Sequence, residues 1–277
     1  MFATTMVAEK ANPIFNRPLQ KKTNLPKSNA WVAYHRPNPH ARLRLFCFPY
    51  AGGGASVYRT WVNNLLPDVD VMPVQYPGRE GRISEEHVTN PDALADAALE
   101  GLASYFDRPF AFFGHSMGAR LAFDITRRLQ EQKREMPAQL FISGCRAPRI
   151  PDPEPPIHEL PEKEFIDELR IYNGTPKSVL ENDELMTLYM PTLRADFGLC
   201  ASHPLLQPEP LLSCPMSIYG GLQDHKLPKK ELEAWRAYTQ ETFLLRMFPG
   251  DHFFIHSGQD LVLRILCREL AQLAQTT

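Results

Sequence analysis

The sequence predicts one α/β domain in which a mainly parallel sheet is covered by helices on both faces. Three observations lead to this fold class. Apolar strand-like runs alternate with amphipathic runs from residue 43 onward, a glycine-flanked serine stands between one strand and the next helix, and one helix-like insertion interrupts the alternation. A length of 277 residues with 43% hydrophobic residues is enough to bury one such core.

Apolar composition predicts six strands. They cover residues 43–48, 69–75, 110–113, 139–143, 216–219 and 243–248. Because helices separate most of these runs, we expect crossover connections and therefore parallel pairing. The helices are predicted to begin near Ser56, Pro91, Gly118 and Lys229, and a last helix covers residues 259–275.

An insertion at about residues 146–205 contains no strand candidate. It begins with a proline-rich stretch and continues with two helix-like runs, residues 161–172 and 182–194. It lies between two predicted core strands, on the side where the glycine-flanked serine leaves the sheet. We therefore expect a helical lid over the active site. A helical decoration without a role in gating is the alternative.

The first 30 residues differ from the rest of the chain. They contain breaker prolines, five basic residues and a single acidic one, Glu9. This composition predicts a disordered tail (1–30) before a catalytic domain (31–277). An organellar transit peptide is the alternative for the tail.

Composition also limits the partners and the compartment. A net charge of −2 gives no sign of nucleic-acid binding. The five cysteines are widely spaced without a Cys-x-x-Cys motif, which predicts neither a disulfide framework nor a zinc site. No apolar run has the length of a transmembrane helix, so no membrane association is expected. We expect a cytoplasmic monomer.

The pentapeptide Gly-His-Ser-Met-Gly at residues 114–118 is the main catalytic motif. It follows the apolar run 110–113 and precedes an amphipathic run, so it is predicted to form a sharp strand-to-helix turn. Such a turn lifts the hydroxyl of Ser116 out of the sheet, and the flanking glycines avoid collisions with the neighbouring strand and helix. The motif in this setting predicts an α/β-hydrolase fold with Ser116 as the nucleophile.

Serine is a weak nucleophile and needs a base and an acid, which follow it in this fold in the order acid, then histidine. His252 lies just after the last predicted strand and is the expected base, with His256 as the second choice. Asp224 follows the preceding strand by a short turn and is the expected acid. Asp251 is adjacent to the base and badly placed to orient it. Asp196 belongs to the lid, where a structural role is expected.

An oxyanion hole needs two backbone N–H donors. Met117, the residue after the nucleophile, is expected to supply one. The glycine-rich turn at residues 48–54, after the first strand, is expected to supply the other from Ala51. A phosphate-binding loop is disfavoured because this turn has neither of the usual glycine-rich phosphate motifs.

With these residues assigned, the chain resembles the type II thioesterases of non-ribosomal peptide and polyketide synthesis over about residues 40–275. Six segments carry the resemblance, at residues 48–53, 75–80, 114–119, 193–197, 220–224 and 248–254. The family's serine, aspartate and histidine match Ser116, Asp224 and His252. The long N-terminal tail departs from the family's compact pattern.

The resemblance implies hydrolysis of acyl thioesters on the phosphopantetheine arm of an acyl or peptidyl carrier protein, which would free stalled synthase modules. It implies no metal and no organic cofactor. A small-molecule carboxylesterase or lipase would use the same triad and is the first alternative. A non-catalytic binding protein on this fold is the second.

The expected carrier partner has an acidic surface, so basic residues near the serine are the predicted docking residues. They are Arg79 and Arg82, in the loop after the second strand, and Arg146 and Arg149, at the start of the lid. The first part of the lid is acidic and is expected to be a poor docking surface.

Overall fold

A six-stranded parallel sheet forms the centre of the computed structural model, which describes residues 30–65 and 67–276. The strands are β1 (Leu43–Phe48), β2 (Val69–Pro73), β3 (Phe110–His115), β4 (Gln139–Ser143), β5 (Met216–Gly221) and β6 (Phe243–Phe248). Their order is β2-β1-β3-β4-β5-β6, and every adjacent pair is parallel. The predicted α/β-hydrolase fold class is confirmed.

The described residues also form α-helices, which connect and flank the strands. They are α1 (Trp61–Asn64), α2 (Pro91–Leu102), α3 (Met117–Glu131), α4 (Glu162–Tyr172), α5 (Lys177–Leu180), α6 (Asp183–Ser202), α7 (Lys229–Glu233), α8 (Phe254–Ser257) and α9 (Gln259–Thr276). None of the helices in the described part of the chain is both long and apolar enough to span a bilayer. Residues 1–29 of the predicted tail lie outside the described residues.

Side chains that alternate along the buried strands build two apolar layers. Phe46 and Phe48 pack on one face of the sheet, in a cluster with residues of α2 and α3. Leu45 and Cys47 point to the other face, where they pack with residues of α1 and α9. This alternation follows from the two-residue period of a strand, and it explains why β1 is apolar at nearly every position.

The strand order reverses between β1 and β3, which lie side by side although β2 lies between them in the sequence. Loops that leave the carboxyl ends of such neighbouring strands run in opposite directions and leave a crevice between them. The loop after β1 and the turn after β3 meet at this crevice. Both were assigned catalytic roles from the sequence.

The insertion between β4 and β5 contains α4, α5 and α6. The three helices pack around an apolar cluster of their own, formed by Ile157, Phe165, Leu169, Leu180, Met186 and Leu193. The sequence predicted two of these helices and ended the second at residue 194, whereas α6 continues to Ser202. Pro191 lies inside α6 without ending it.

Candidate active site

Ser116 lies at the sharp turn between β3 and α3. Its backbone has φ 53° and ψ −118°, a region that residues other than glycine rarely occupy. The Ser116 N–H donates to the carbonyl of Ser143 at 2.8 Å, which holds the turn against the end of β4. Its hydroxyl is therefore presented at the carboxyl edge of the sheet, where the helix dipole of α3 begins.

Gly114 and Gly118 allow this turn because the backbone comes very close on both sides. A Cβ on Gly114 would lie 2.3 Å from the carbonyl oxygen of Gly118. A Cβ on Gly118 would lie 2.1 Å from the carbonyl oxygen of Phe48, in β1. Both obstacles are backbone atoms, so a side chain at either position displaces the turn from the sheet.

His252 and Asp224 are hydrogen-bonded to each other. His252 Nδ1 lies 2.7 Å from Asp224 Oδ2, and the other carboxylate oxygen of Asp224 accepts from the Lys226 N–H at 3.2 Å. Asp224 is 8% exposed. A carboxylate in this position favours the tautomer with hydrogen on Nδ1, which leaves Nε2 of His252 free to accept a proton.

Backbone bonds tie the loops that carry these two residues. The Leu222 N–H donates to the carbonyl of Phe248 at 2.8 Å, and the Gln223 N–H donates to the carbonyl of Gly250 at 2.9 Å. Gly250 has φ +119°, a conformation that side chains disfavour. The two loops therefore leave β5 and β6 as one unit, although Asp224 and His252 are 28 residues apart.

His115 connects the serine turn with the histidine loop. Its ring lies 5.2 Å from the His252 ring, centroid to centroid, and its Nδ1 lies 2.9 Å from the Ser143 hydroxyl. His115 is fully buried, and burial lowers its pKa well below the usual value, with His252 and His256 acting in the same direction. A neutral His115 is expected to support the wall of the site rather than to transfer protons.

The loop of residues 49–54 after β1, here called the oxyanion loop, faces the serine turn. Among the described residues, neither the Ala51 N–H nor the Met117 N–H donates a hydrogen bond. Met117 is the first residue of α3, where backbone N–H groups have no partner within the helix. Both amides expected to form the oxyanion hole are therefore available to a ligand.

The other candidates for base and acid have different partners. The Nε2 of His256 lies 2.8 Å from the hydroxyl of Tyr50, and burial raises the pKa of Tyr50 to about 12. Asp251 accepts from the Phe253 N–H at 2.9 Å and from the Asn173 amide at 3.2 Å. Neither residue contacts the Asp224–His252 pair through these bonds.

Asp196 and Arg79 form a buried ion pair that the sequence did not predict. The two Arg79 Nη atoms lie 2.5 and 2.7 Å from the two carboxylate oxygens of Asp196. Arg79 is 6% exposed and Asp196 is not exposed. The prediction that Arg79 docks a carrier protein is therefore wrong, because a guanidinium buried in the fold does not reach a partner's surface.

The other predicted docking arginines differ in exposure. Arg82 pairs with Glu85 at 2.6 Å and lies over the ring of Trp31 at 4.7 Å. Arg146 pairs with Asp152 at 2.7 Å and with Glu231 at 3.2 Å. Arg149 is exposed. Of the four, Arg149 is the residue that best fits a docking role.

The insertion between β4 and β5, which the sequence predicts to be a lid, lies directly against the candidate site. Leu193 of α6 packs on Gly52 of the oxyanion loop, since a Cβ on Gly52 would lie 2.6 Å from a Leu193 methyl carbon. At the other side, Gly174 lies so close to the ring of Phe253 that a Cβ would be 2.4 Å from it. The lid thus contacts both the oxyanion loop and the loop that carries His252.

A family model, curated relatives and a solved structure all match this chain, and all of them point to the thioesterase family. A family model described as a thioesterase domain matches residues 43–270. The gramicidin S biosynthesis protein GrsT of Aneurinibacillus migulanus is 40% identical over 90% of this chain and 96% of its own length. The thioesterase PikA5 of Streptomyces venezuelae is 35% identical over 87% of this chain and 84% of its own length.

A solved structure agrees with these relatives. The type II thioesterase BorB, from the borrelidin biosynthetic cluster, superimposes with a TM-score of 0.80 at 33% identity, covering 90% of this chain and all of BorB. The resemblance to type II thioesterases read from six short segments is thereby confirmed over most of the chain.

Proposed function

Because the chain belongs to the thioesterase family and is a thioester hydrolase of natural-product synthesis, we propose that Ser116, His252 and Asp224 are its catalytic triad and that acyl groups on a carrier protein's phosphopantetheine arm are its substrates. Two observations carry the proposal: the 2.7 Å bond between His252 and Asp224, and the strained turn of Ser116, whose neighbour His115 contacts the His252 ring. This combination supplies a base, its orienting acid and a partly exposed nucleophile.

In the first half of the reaction, Nε2 of His252 takes the proton of the Ser116 hydroxyl as Oγ attacks the thioester carbonyl carbon. The carbonyl oxygen becomes an oxyanion and accepts hydrogen bonds from the N–H groups of Met117 and Ala51. The C–S bond then breaks. The sulfur takes the proton from His252 and leaves as a thiol, so His252 is neutral again and the acyl group remains on Ser116 as an ester.

In the second half, a water molecule attacks the acyl ester while His252 takes its proton. The same two amides stabilise the second oxyanion. Collapse breaks the ester bond, His252 returns the proton to Ser116 Oγ, and the carboxylic acid leaves. Asp224 stays ionised throughout and stabilises the imidazolium that forms in both halves.

A carrier-bound substrate is supported by the pathways of the relatives, whose names place them in gramicidin S and borrelidin biosynthesis. The apolar lid cluster adjoins the oxyanion loop through Leu193, and this neighbourhood suits an acyl chain better than a charged group. The exposed guanidinium of Arg149, at the start of the lid, suits an acidic carrier surface. The protein is proposed to act as a monomer in the cytoplasm.

Ser116→Ala tests the mechanism. We expect it to abolish both hydrolysis of an acyl-carrier thioester and labelling by a fluorophosphonate, with an unchanged thermal unfolding temperature. Ser104→Ala, at an exposed serine after α2, is the matched control and is expected to keep both activities. Hydrolysis that survives in a folded Ser116→Ala protein would overturn the proposed nucleophile.

The leaving group tests the substrate class. The same acyl group is offered as a carrier-protein thioester, as a small soluble thioester and as a matched oxygen ester. We expect kcat/KM to be highest for the carrier thioester and lowest for the oxygen ester. A preference for the oxygen ester would favour the carboxylesterase alternative over the proposed substrate.

A further inference from the structure

The lid helix α6 reaches into the oxyanion loop through Asp196. The Gly52 N–H, one residue beyond the proposed donor Ala51, donates to Asp196 Oδ2 at 2.7 Å. Asp196 has no solvent exposure. A charged acceptor buried at this point fixes the orientation of the peptide that joins Ala51 to Gly52.

Arg79 completes the arrangement from the loop after β2. Its Nη1 donates to Asp196 and also to the carbonyl of Gly53 at 3.2 Å, so one ion pair holds the N–H of Gly52 and the C=O of the next residue. The guanidinium also lies over the ring of Tyr76 at 5.1 Å, and the Tyr76 hydroxyl donates to the carbonyl of Pro49 at 3.1 Å. Three backbone groups of the oxyanion loop are thus held by hydrogen bonds: the Pro49 carbonyl, the Gly52 N–H and the Gly53 carbonyl.

The loop is also held on the other side of Ala51. The Tyr50 hydroxyl lies 2.8 Å from Nε2 of His256, four residues beyond the proposed catalytic histidine. Ala51 therefore lies between two anchored residues while its own N–H has no acceptor among the described residues. A free donor between two fixed neighbours is the geometry that a preorganised oxyanion hole requires.

We propose that the Arg79–Asp196 pair positions the Ala51 N–H for the oxyanion and makes the oxyanion hole depend on the seating of lid helix α6. This inference rests on the proposed function, in which Ala51 is an oxyanion donor. A buried ion pair contributes little net stability compared with apolar side chains of similar volume. Its bonds to the loop explain its position at the site better than a contribution to stability does.

Two double variants separate positioning from stability. Arg79→Met with Asp196→Leu removes both charges and the acceptor for the Gly52 N–H. Arg79→Met with Asp196→Asn removes the same charges but keeps an acceptor oxygen on a side chain of nearly the same shape. Arg44→Met with Asp70→Leu is the matched control, because that mostly buried pair lies at the amino ends of β1 and β2, away from the site.

Each variant is assayed for kcat and KM on a small soluble thioester and for inhibition by a trifluoromethyl ketone, whose adduct with a serine places an oxyanion in the hole. We expect the leucine variant to lose kcat and inhibitor affinity together, by roughly 10- to 100-fold, since one oxyanion donor is worth about 100- to 1,000-fold. KM should stay within about threefold. The asparagine variant, which keeps an acceptor for the Gly52 N–H but lacks the Arg79 contacts, should recover only part of the loss, and the control should lower only the unfolding temperature.

Unchanged kcat in a folded leucine variant, or an equal loss in the control, would overturn the inference. So would a loss of kcat without a loss of inhibitor affinity. Should the leucine variant fail to fold, Arg79→Lys carries the test, because it keeps the charge but loses the two-pronged contact. It should lose roughly three- to tenfold in kcat at constant KM, and unchanged kcat would overturn the inference. Fluorophosphonate labelling of Ser116 in each variant shows that the proposed nucleophile remains intact.

Discussion

Ser116 carries a backbone strain that the rest of the site sustains. Its φ of 53° costs of order 1–3 kcal/mol for a residue with a side chain. Neighbouring groups hold the turn in this conformation. The Ser116 N–H donates to the Ser143 carbonyl, and Gly114 and Gly118 pack directly against backbone atoms of Gly118 and Phe48, respectively. Strain of this kind, at a residue of nucleophilic chemistry, is typical of an active site.

Asp224→Asn is expected to lower kcat by roughly 10³- to 10⁴-fold, since a neutral amide neither enforces the tautomer of His252 nor stabilises its charged form. The unfolding temperature should change little, because asparagine preserves the shape and an acceptor oxygen. Steady-state hydrolysis of a small soluble thioester, together with thermal unfolding, measures both quantities.

Asp251→Asn is the matched control for this prediction. Asp251 is adjacent to His252 but accepts from Phe253 and Asn173 instead. We expect its kcat to stay within about threefold of the unchanged protein. Comparable losses in the two variants would mean that the acid of the triad has been assigned wrongly.

At the scale of elements, the strands were predictable and the helix ends were not. Predicted strands 43–48, 139–143 and 243–248 agree with the structure, because each contains a short apolar run bounded by turn residues, which indicates a strand in the sheet centre (β1, β4) and at its partly exposed edge (β6). The helix α6 was ended too early at residue 194. Its last turns are held by tertiary burial of Asp196 and Leu199, which no local pattern reveals.

Short helices were missed for a related reason. The helices α5 and α8 have four residues each, which is too short for a helical period to appear in the sequence. They exist because the chain on both sides is fixed, α5 in the lid and α8 between the histidine loop and α9. The site residues were easier to find, since strand ends and motif spacing point to the same edge of the sheet.

The packing of α3 on β1 gives a prediction at this scale. Gly118→Ala is expected to lower the free energy of unfolding by at least about 3 kcal/mol, because the added methyl group meets the backbone of Phe48, which has no room to move inside the sheet. Thioesterase activity should fall as well, since α3 carries the Ser116 turn. Urea unfolding followed by circular dichroism measures the loss.

Gly81→Ala is the control, because a Cβ on Gly81 meets no atom within 4 Å. Its free energy of unfolding should stay within about 1 kcal/mol of the unchanged protein. If the two alanine variants unfolded at the same urea concentration, the close approach of α3 to β1 would not constrain the fold as described.

At the scale of the whole molecule, the sequence did not predict contacts between residues that lie far apart in the chain. Arg79 reads as a surface arginine in a polar loop, yet it is buried by a carboxylate 117 residues later in the chain. Nothing in the local pattern around either residue indicates the partner. The distinction between a docking arginine and a positioning arginine therefore needed the three-dimensional structure, and it leaves Arg149 as the best candidate for contact with a carrier protein.

Arg149→Glu is expected to lower kcat/KM for an acyl-carrier thioester by roughly three- to tenfold at low ionic strength, because a charge at the rim of an interface acts mainly on the rate of encounter. The effect should be smaller in about 0.5 M salt, because the Debye length is then only a few ångströms. Activity on a small soluble thioester should not change, since Arg149 is exposed and lies outside the proposed triad.

Lys133→Glu is the control for Arg149→Glu, because it replaces one positive by one negative charge at a different position on the surface. Lys133 is exposed just beyond the carboxyl end of α3, whose 15 residues separate it from Ser116 by about 22 Å. We expect this control to leave both substrates unaffected. A loss on the carrier substrate in both variants would indicate an effect of net charge, and a loss on both substrates in Arg149→Glu would mean that Arg149 supports the active site. Only a loss confined to the carrier substrate and to Arg149→Glu agrees with docking at the start of the lid.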